Sequence, residues 1–163
     1  MNSTKKFDFV VYGATGFTGK LVVEYLVSKY GDDQNVSWAM AGRSIEKLQS
    51  VKDDIGVNAD IELIQVDSND ISSIDNLMSQ TRCILTTVGP YQLYGPNIVK
   101  QCVAHGTDYV DLCGEPGWMH EMINEHADQA KETGARIVFS CGFDSIPFDL
   151  GVYFLQKEVI AQH

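Results

Sequence analysis

Apolar runs and amphipathic stretches alternate along the chain. Phe7–Tyr12 reads as a strand, and 16–30 as a helix whose Val22, Leu26 and Tyr30 recur four apart on one face. Residues 36–41 read as a second strand. Ser44 can cap a helix running to about Ile55. A third strand is expected over 61–66, then a helix with Ile71, Ile74 and Leu77 as its stripe, then a fourth strand over 83–87. Pro96 suits a helix start, where its missing N–H does no harm. Ile98, Val99, Cys102 and Val103 give that helix a buried face, and Gly106 ends it. Strand five is expected over 109–112. A helix over 118–133 turns Met119, Met122, Ile123 and Ala130 inward, with Gly134 as its stop. Strand six is expected over 136–140, and a last helix starts near Pro147.

Strand–helix alternation implies parallel strands joined by right-handed crossovers, hence a doubly wound, mainly parallel α/β sheet of the Rossmann type. No repeat, low-complexity tract or linker interrupts it, so residues 1–163 read as one domain.

Composition narrows the function. At 163 residues, with 44% hydrophobic and 21% charged positions, the chain can bury a real core. A net charge of −10 repels phosphate backbones, which argues against nucleic acid as a partner. No apolar run approaches the ~20 residues that span a bilayer. "MNSTKKFDF" lacks the apolar core of a signal peptide, so a cytoplasmic location is expected. Cys83, Cys102, Cys113 and Cys141 form no CxxC pair and read as free, quiet thiols.

The first strand–helix junction carries the chemistry. "VVYGATGFTGKLV" places Gly13, Gly16 and Gly19 where a strand ends and a helix begins. In dinucleotide-binding folds this turn holds a pyrophosphate on free backbone N–H groups at the helix N-terminus. One glycine makes the turn, one admits the phosphate, and one lets helix and strand pack closely. The spacing here is GxxGxxG, with Ala14 where GxGxxG has its first glycine. Thr15, Phe17 and Thr18 complete the loop, and the two threonines can add hydroxyl donors. A tight turn without ligand is the alternative.

The end of strand two tests which nucleotide is held. NAD enzymes place an acid there for the ribose 2′-hydroxyl. "WAMAGRSIEKL" has none, and puts Arg43 and Ser44 there instead. A guanidinium pairs with a 2′-phosphate and a hydroxyl can assist, so NADP(H) is expected over NAD(H). A surface-loop role for Arg43 and a capping role for Ser44 remain the plainer alternatives.

Further along stand "TTVGPYQLYGPN", "YVDLCGEPGWM" and "IVFSCGFDSIPFDLGV". With "VYGATGFTG" and "AGRS", they resemble the NADP-binding domain of saccharopine dehydrogenase-like oxidoreductases, in the branch of the trans-acting enoyl reductases. The resemblance covers essentially the whole chain. It implies an NAD(P)H-dependent oxidoreductase whose second domain, supplying substrate and dimer contacts, lies outside this sequence.

Ligands of such folds gather at the carboxyl ends of the strands. Asp67, Ser68 and Asn69 are placed to border the adenine. Thr87, Val88, Gly89, Pro90 and Tyr91 follow strand four, with Gly89 admitting the nicotinamide ribose. Cys113, Gly114 and Glu115 follow strand five, and Gly142, Phe143 and Asp144 follow strand six. Tyr91, Glu115 and Asp144 are the candidates for facing substrate, with solvated loop charge or helix capping as the alternative for the acids. The substrate is a small molecule, an amino acid or a lipid intermediate.

Three other readings compete. Ser140, Tyr153 and Lys157 have the spacing of a short-chain dehydrogenase set, in which Lys lowers the Tyr pKa for proton transfer. Tyr25 and Lys29 repeat YxxxK, but too early in the chain. A dinucleotide-binding sensor or scaffold without turnover would use the same glycines and Arg43. "MHEMINEH" suggests a zinc helix, but the partner His120 needs four residues on is Asn124, and His126 falls elsewhere, so no metal is expected.

Overall fold

The alternation resolves, in a computed structural model describing residues 5–31, 33 and 35–162, into strands and helices in strict succession. They are β1 (Phe7–Tyr12), α1 (Phe17–Tyr30), β2 (Trp38–Gly42), α2 (Ile45–Ile55), β3 (Glu62–Gln65), α3 (Ile71–Gln80), β4 (Thr81–Thr86), α4 (Tyr91–Tyr94), α5 (Pro96–His105), β5 (Asp108–Asp111), α6 (Pro116–Thr133), β6 (Ile137–Val138) and α7 (Ile146–Gln162). The leaderless reading of residues 1–4 lies outside the described residues. Every strand pairs in parallel, in the order β3–β2–β1–β4–β5–β6. The order in which strands are added therefore reverses between β1 and β4, which makes the crevice above those two strands the ligand position of such a sheet.

Alternate strand residues supply two cores. Val11 and Met40 point to the face covered by α1 and α2, where Val23, Leu26, Leu48 and Val51 are buried. Val10, Tyr12, Ala39 and Tyr109 point to the other face, under α3, α5 and α6. The cap expected at Ser44 is present, its hydroxyl accepting the Lys47 N–H at 3.2 Å. Gly106 ends α5 in the left-handed region at φ 59°, its N–H on the Cys102 and Val103 carbonyls.

Several expected boundaries move, each for a local reason. Ser37 stands outside β2 because its N–H and hydroxyl both go to the Asp8 carboxylate, at 2.9 and 3.0 Å. β4 begins earlier, with Thr81 opposite Phe7. β6 keeps two residues of the five expected: the Arg136 N–H bonds the Asp108 side chain at 2.9 Å, and Ser140 turns left-handed at φ 60°. α4 had no counterpart in the sequence pattern. On α6 the buried stripe is Trp118, Met122 and His126, so Ile123 faces outward, as Ile71 does at the start of α3. Tyr30, expected on the inner stripe of α1, is also exposed; Gly19, Val23 and Leu26 form that stripe.

Candidate cofactor site

β1 delivers the chain to the crevice at Tyr12. Gly13 then adopts φ +91°, a left-handed conformation that side chains disfavour, and a Cβ there would lie 2.7 Å from both Thr87 Oγ1 and Val88 Cγ2. Its N–H bonds the Ala41 carbonyl at 2.9 Å, tying the loop to β2, and its own carbonyl accepts the Gly16 N–H at 2.9 Å. Gly16 is the N-cap of α1 without a side-chain cap, and the first turn holds no acid. The N–H groups of Phe17, Thr18 and Gly19 thus precede the first helical bond, Lys20 N–H to Gly16 O at 2.9 Å. The phenyl of Phe17 is 84% exposed, so only its backbone belongs to the loop. Gly19 sits against β1: a Cβ there would meet the Gly13 carbonyl oxygen at 2.1 Å. A Cβ on Gly16 would meet only that oxygen, at 3.4 Å, and otherwise open space. Turn, open approach and close packing thus fall to Gly13, Gly16 and Gly19 in that order. The open, uncapped helix end fits a dinucleotide pyrophosphate.

Two clefts flank the loop. One, of about 310 Å³, holds Arg43 and Ser68 opposite Gly13, Thr15 and Gly16. Among the described residues no hydrogen bond or ion pair engages the Arg43 guanidinium. The Ser44 hydroxyl is turned into α2, accepting Lys47 N–H and donating to Glu46 at 2.7 Å. Asp67 spends one carboxylate oxygen on the Asn69 N–H at 2.9 Å, leaving Ser68 as the member of that segment lining the cleft. The second cleft, of about 410 Å³, lies over β4–β6 and is lined by Thr18, Thr87, Leu112, Gly142, Phe143 and Asp144 among others. Thr87 lines both clefts, and its hydroxyl donates to the Gly13 carbonyl at 3.2 Å. Val88, Gly89 and Pro90 line the first cleft.

Two candidate substrate-facing residues turn out to be committed elsewhere. Tyr91 is 6% exposed and packs on Trp118, with its hydroxyl donating to the Thr86 carbonyl at 3.2 Å. Burial raises its pKa, so it holds its proton. The Glu115 carboxylate accepts the Tyr91 and Gln92 N–H groups at 2.7 and 2.9 Å, capping α4 from a distant loop. Asp144 alone of the three lines a cleft. Two members of the short-chain dehydrogenase set lie together on α7, and the serine is bonded elsewhere. The Ser140 hydroxyl donates to the Cys113 carbonyl at 2.7 Å, and Lys157 lies over the Tyr153 ring, 5.4 Å from its centroid, on a helix exposed to solvent. His120 lies 2.9 Å from Asn124.

Residues 9–138 match the family described as the saccharopine dehydrogenase NADP binding domain. The chain belongs to that family. The chain is 45% identical to a trans-acting enoyl reductase of Mycobacterium leprae, covering 96% of this chain and 37% of that protein. It is 44% identical to a lipid droplet localized protein of Caenorhabditis elegans, covering 93% of this chain and 37% of that one. It thus spans little more than a third of these relatives. Among solved structures it resembles apo saccharopine dehydrogenase (L-Glu forming) from Saccharomyces cerevisiae, with a TM-score of 0.67, 21% identity, and coverage of 84% of this chain and 27% of that one. The Citrobacter triphenylmethane reductase complexed with NADP(H) gives 0.57, 20%, 82% and 48%. The family is the one the sequence motifs indicated, and the doubly wound fold and the NADP(H) assignment agree with it. No helix among the described residues is long and apolar enough to cross a membrane.

Asp111 was not among the candidates legible in the sequence. It is 3% exposed at the end of β5, and three donors converge on its carboxylate. Its signal was a charged residue inside the apolar run "YVDL".

Proposed function

We propose that this chain is the cofactor-holding part of an NADPH-dependent reductase. The observation that carries the reading is the uncapped N-terminus of α1 among Gly13, Gly16 and Gly19, with the guanidinium of Arg43, unengaged among the described residues, across the same cleft. In this reading the N–H groups of Phe17–Gly19 and the threonines Thr15 and Thr18 hold the pyrophosphate. Arg43 holds the 2′-phosphate, Ser68 borders the adenosine, and Thr87 with Val88 and Gly89 passes the cofactor toward the β4–β6 cleft. NADPH supplies a hydride there. Asp144 is the one candidate left beside it for a polar contact to substrate, a small molecule of the amino-acid or lipid-intermediate class.

A further domain completes the substrate site and any dimer. The length of the relatives supports this, and so does α7, where nine large apolar side chains are 43–75% exposed. A cytoplasmic setting accords with four unpaired cysteines. A sensor without turnover is favoured by one observation: Tyr91 and Glu115 are both spent on structural bonds. Hydride transfer by the longer protein would separate the two.

Calorimetric titration with NADPH and NADH is the test, beside Arg43→Ala. NADPH should bind the tighter, and Arg43→Ala should weaken NADPH by about 10- to 100-fold while leaving NADH unchanged, the range expected of a charge-assisted hydrogen bond. Equal affinities in the wild type would sink the preference. No binding of either would sink the cofactor reading.

A further inference from the structure

Asp111 is in the floor of the second cleft, 3% exposed, with both carboxylate oxygens committed. One accepts the N–H of Cys113 at 3.0 Å and of Ser140 at 2.8 Å; the other accepts the Tyr109 hydroxyl at 2.7 Å. Its backbone carbonyl accepts the Cys141 N–H at 2.7 Å. Two loops distant in sequence, after β5 and after β6, are therefore fastened to one residue. Ser140 is the described residue other than glycine with positive φ, at 60°, and such a conformation persists where surrounding bonds over-determine it. Its N–H goes to Asp111 and its hydroxyl to the Cys113 carbonyl at 2.7 Å.

The fastening continues outward. The Glu115 N–H bonds Cys113 Sγ at 3.3 Å, and the Glu115 carboxylate caps α4 through Tyr91 and Gln92. Asp111, Cys113 and Glu115, spaced two apart, join the segments after β4, β5 and β6. Those segments line the β4–β6 cleft and the Gly89–Pro90 rim of the first cleft, and none of these bonds is made by Gly13, Thr15, Gly16, Arg43 or Ser68.

We propose that Asp111 is a positioning residue for the nicotinamide half of the cofactor, acting through the left-handed turn at Ser140 and the cap at Glu115. This rests on the dinucleotide reading above. Asp111 touches no ligand in this scheme. It holds Leu112, Gly142, Phe143 and Asp144 where a nicotinamide and its substrate would meet them. Asparagine fits the same space but offers a donor toward the Tyr109 hydroxyl, so that bond must reverse or break.

The test compares wild type with Asp111→Asn in two measurements. In amide hydrogen exchange, Cys113, Ser140 and Cys141 should exchange at least about tenfold faster in the variant, the effect of losing a charged acceptor, with 13–19 unchanged. In calorimetry, NADPH should bind about tenfold more weakly to the variant, while adenosine 2′,5′-bisphosphate, which lacks the nicotinamide half, binds as to wild type. Unchanged protection of the three amides overturns the proposal. So does faster exchange with undiminished NADPH affinity, or equal loss for both ligands. If wild type binds neither nucleotide, the cofactor reading itself has failed and the proposal falls with it. Should Asp111→Asn not fold, Tyr109→Phe removes one donor and must shift the same amides in the same direction.

Discussion

Gly16 and Gly19 stand three residues apart in one motif, yet the structure gives them opposite sensitivities. An alanine at 19 would place its Cβ 2.1 Å from the Gly13 carbonyl oxygen, 2.8 Å from that carbonyl carbon and 2.9 Å from Ala14 Cα. All three are backbone atoms, so no rotamer change relieves the contact. α1 must retreat from β1 by roughly 1 Å, in a core packed with little slack. Overpacking of this kind costs about 1–3 kcal/mol, here toward the upper end, while alanine returns about 1 kcal/mol of helix propensity. The net loss is about 2 kcal/mol, a fall in Tm of roughly 4–8 °C for a chain of this size. An alanine at 16 meets only the Gly13 oxygen at 3.4 Å. It loses a favourable N-cap, within about 1 kcal/mol. Its methyl would, however, occupy the approach to the helix N-terminus, and NADPH affinity should fall at least about tenfold. Thermal unfolding and calorimetry on the two variants form one experiment. A Gly19→Ala protein melting with wild type refutes the packing argument. A Gly16→Ala protein binding NADPH undiminished refutes the placement of the pyrophosphate.

The thiols and one ion pair give two more expectations. Burial pushes the Cys83 thiol up to about 11 and raises those of Cys102, Cys113 and Cys141, and only Cys141 is exposed. Native protein treated with iodoacetamide at neutral pH should therefore be modified slowly and at Cys141 alone, read by peptide mass spectrometry; rapid labelling of a second cysteine would contradict this. Burial acts to raise the Asp108 carboxyl, but its bonds to Arg136 outweigh that and hold its pKa below the ordinary value. A depressed carboxylate stabilises the fold above its unfolded pKa and loses that contribution as pH falls through the folded one. The Tm gap between wild type and Arg136→Ala should thus be constant above about pH 4 and close below it. A gap that persists into acid would show that the pair contributes through packing instead of charge.

The two halves of the cleft differ in how far the sequence foretold them, and the difference is physical. The glycine loop and Arg43, where the proposal puts the adenosine half, are set by neighbouring residues and strands. Gly13 to Gly19 turn, open and pack within one strand–helix junction, and Arg43 needs only the end of the adjacent strand. Spacing along the chain reports such arrangements directly. The sheet order follows from the same locality, since each crossover joins neighbours except at the reversal between β3 and β4.

The β4–β6 cleft, where the proposal puts the nicotinamide, is made by bonds between residues far apart in the chain. Ser140 reaches Asp111 and Cys113 across α6, and Glu115 reaches Tyr91 across α5. A carboxylate at the end of a strand looks the same in sequence whether it faces a ligand or caps a helix, so Glu115 and Tyr91 read as substrate-facing until their partners were placed. Asp111 shows the converse. Burying a carboxylate is unfavourable unless donors meet it, so a charged residue at the end of a buried strand implies convergent N–H and O–H groups even when their owners are unknown. In "YVDL" that rule points to a fastening at the end of β5. The same rule now makes Asp111 the residue whose loss should disturb one half of the cleft and spare the other.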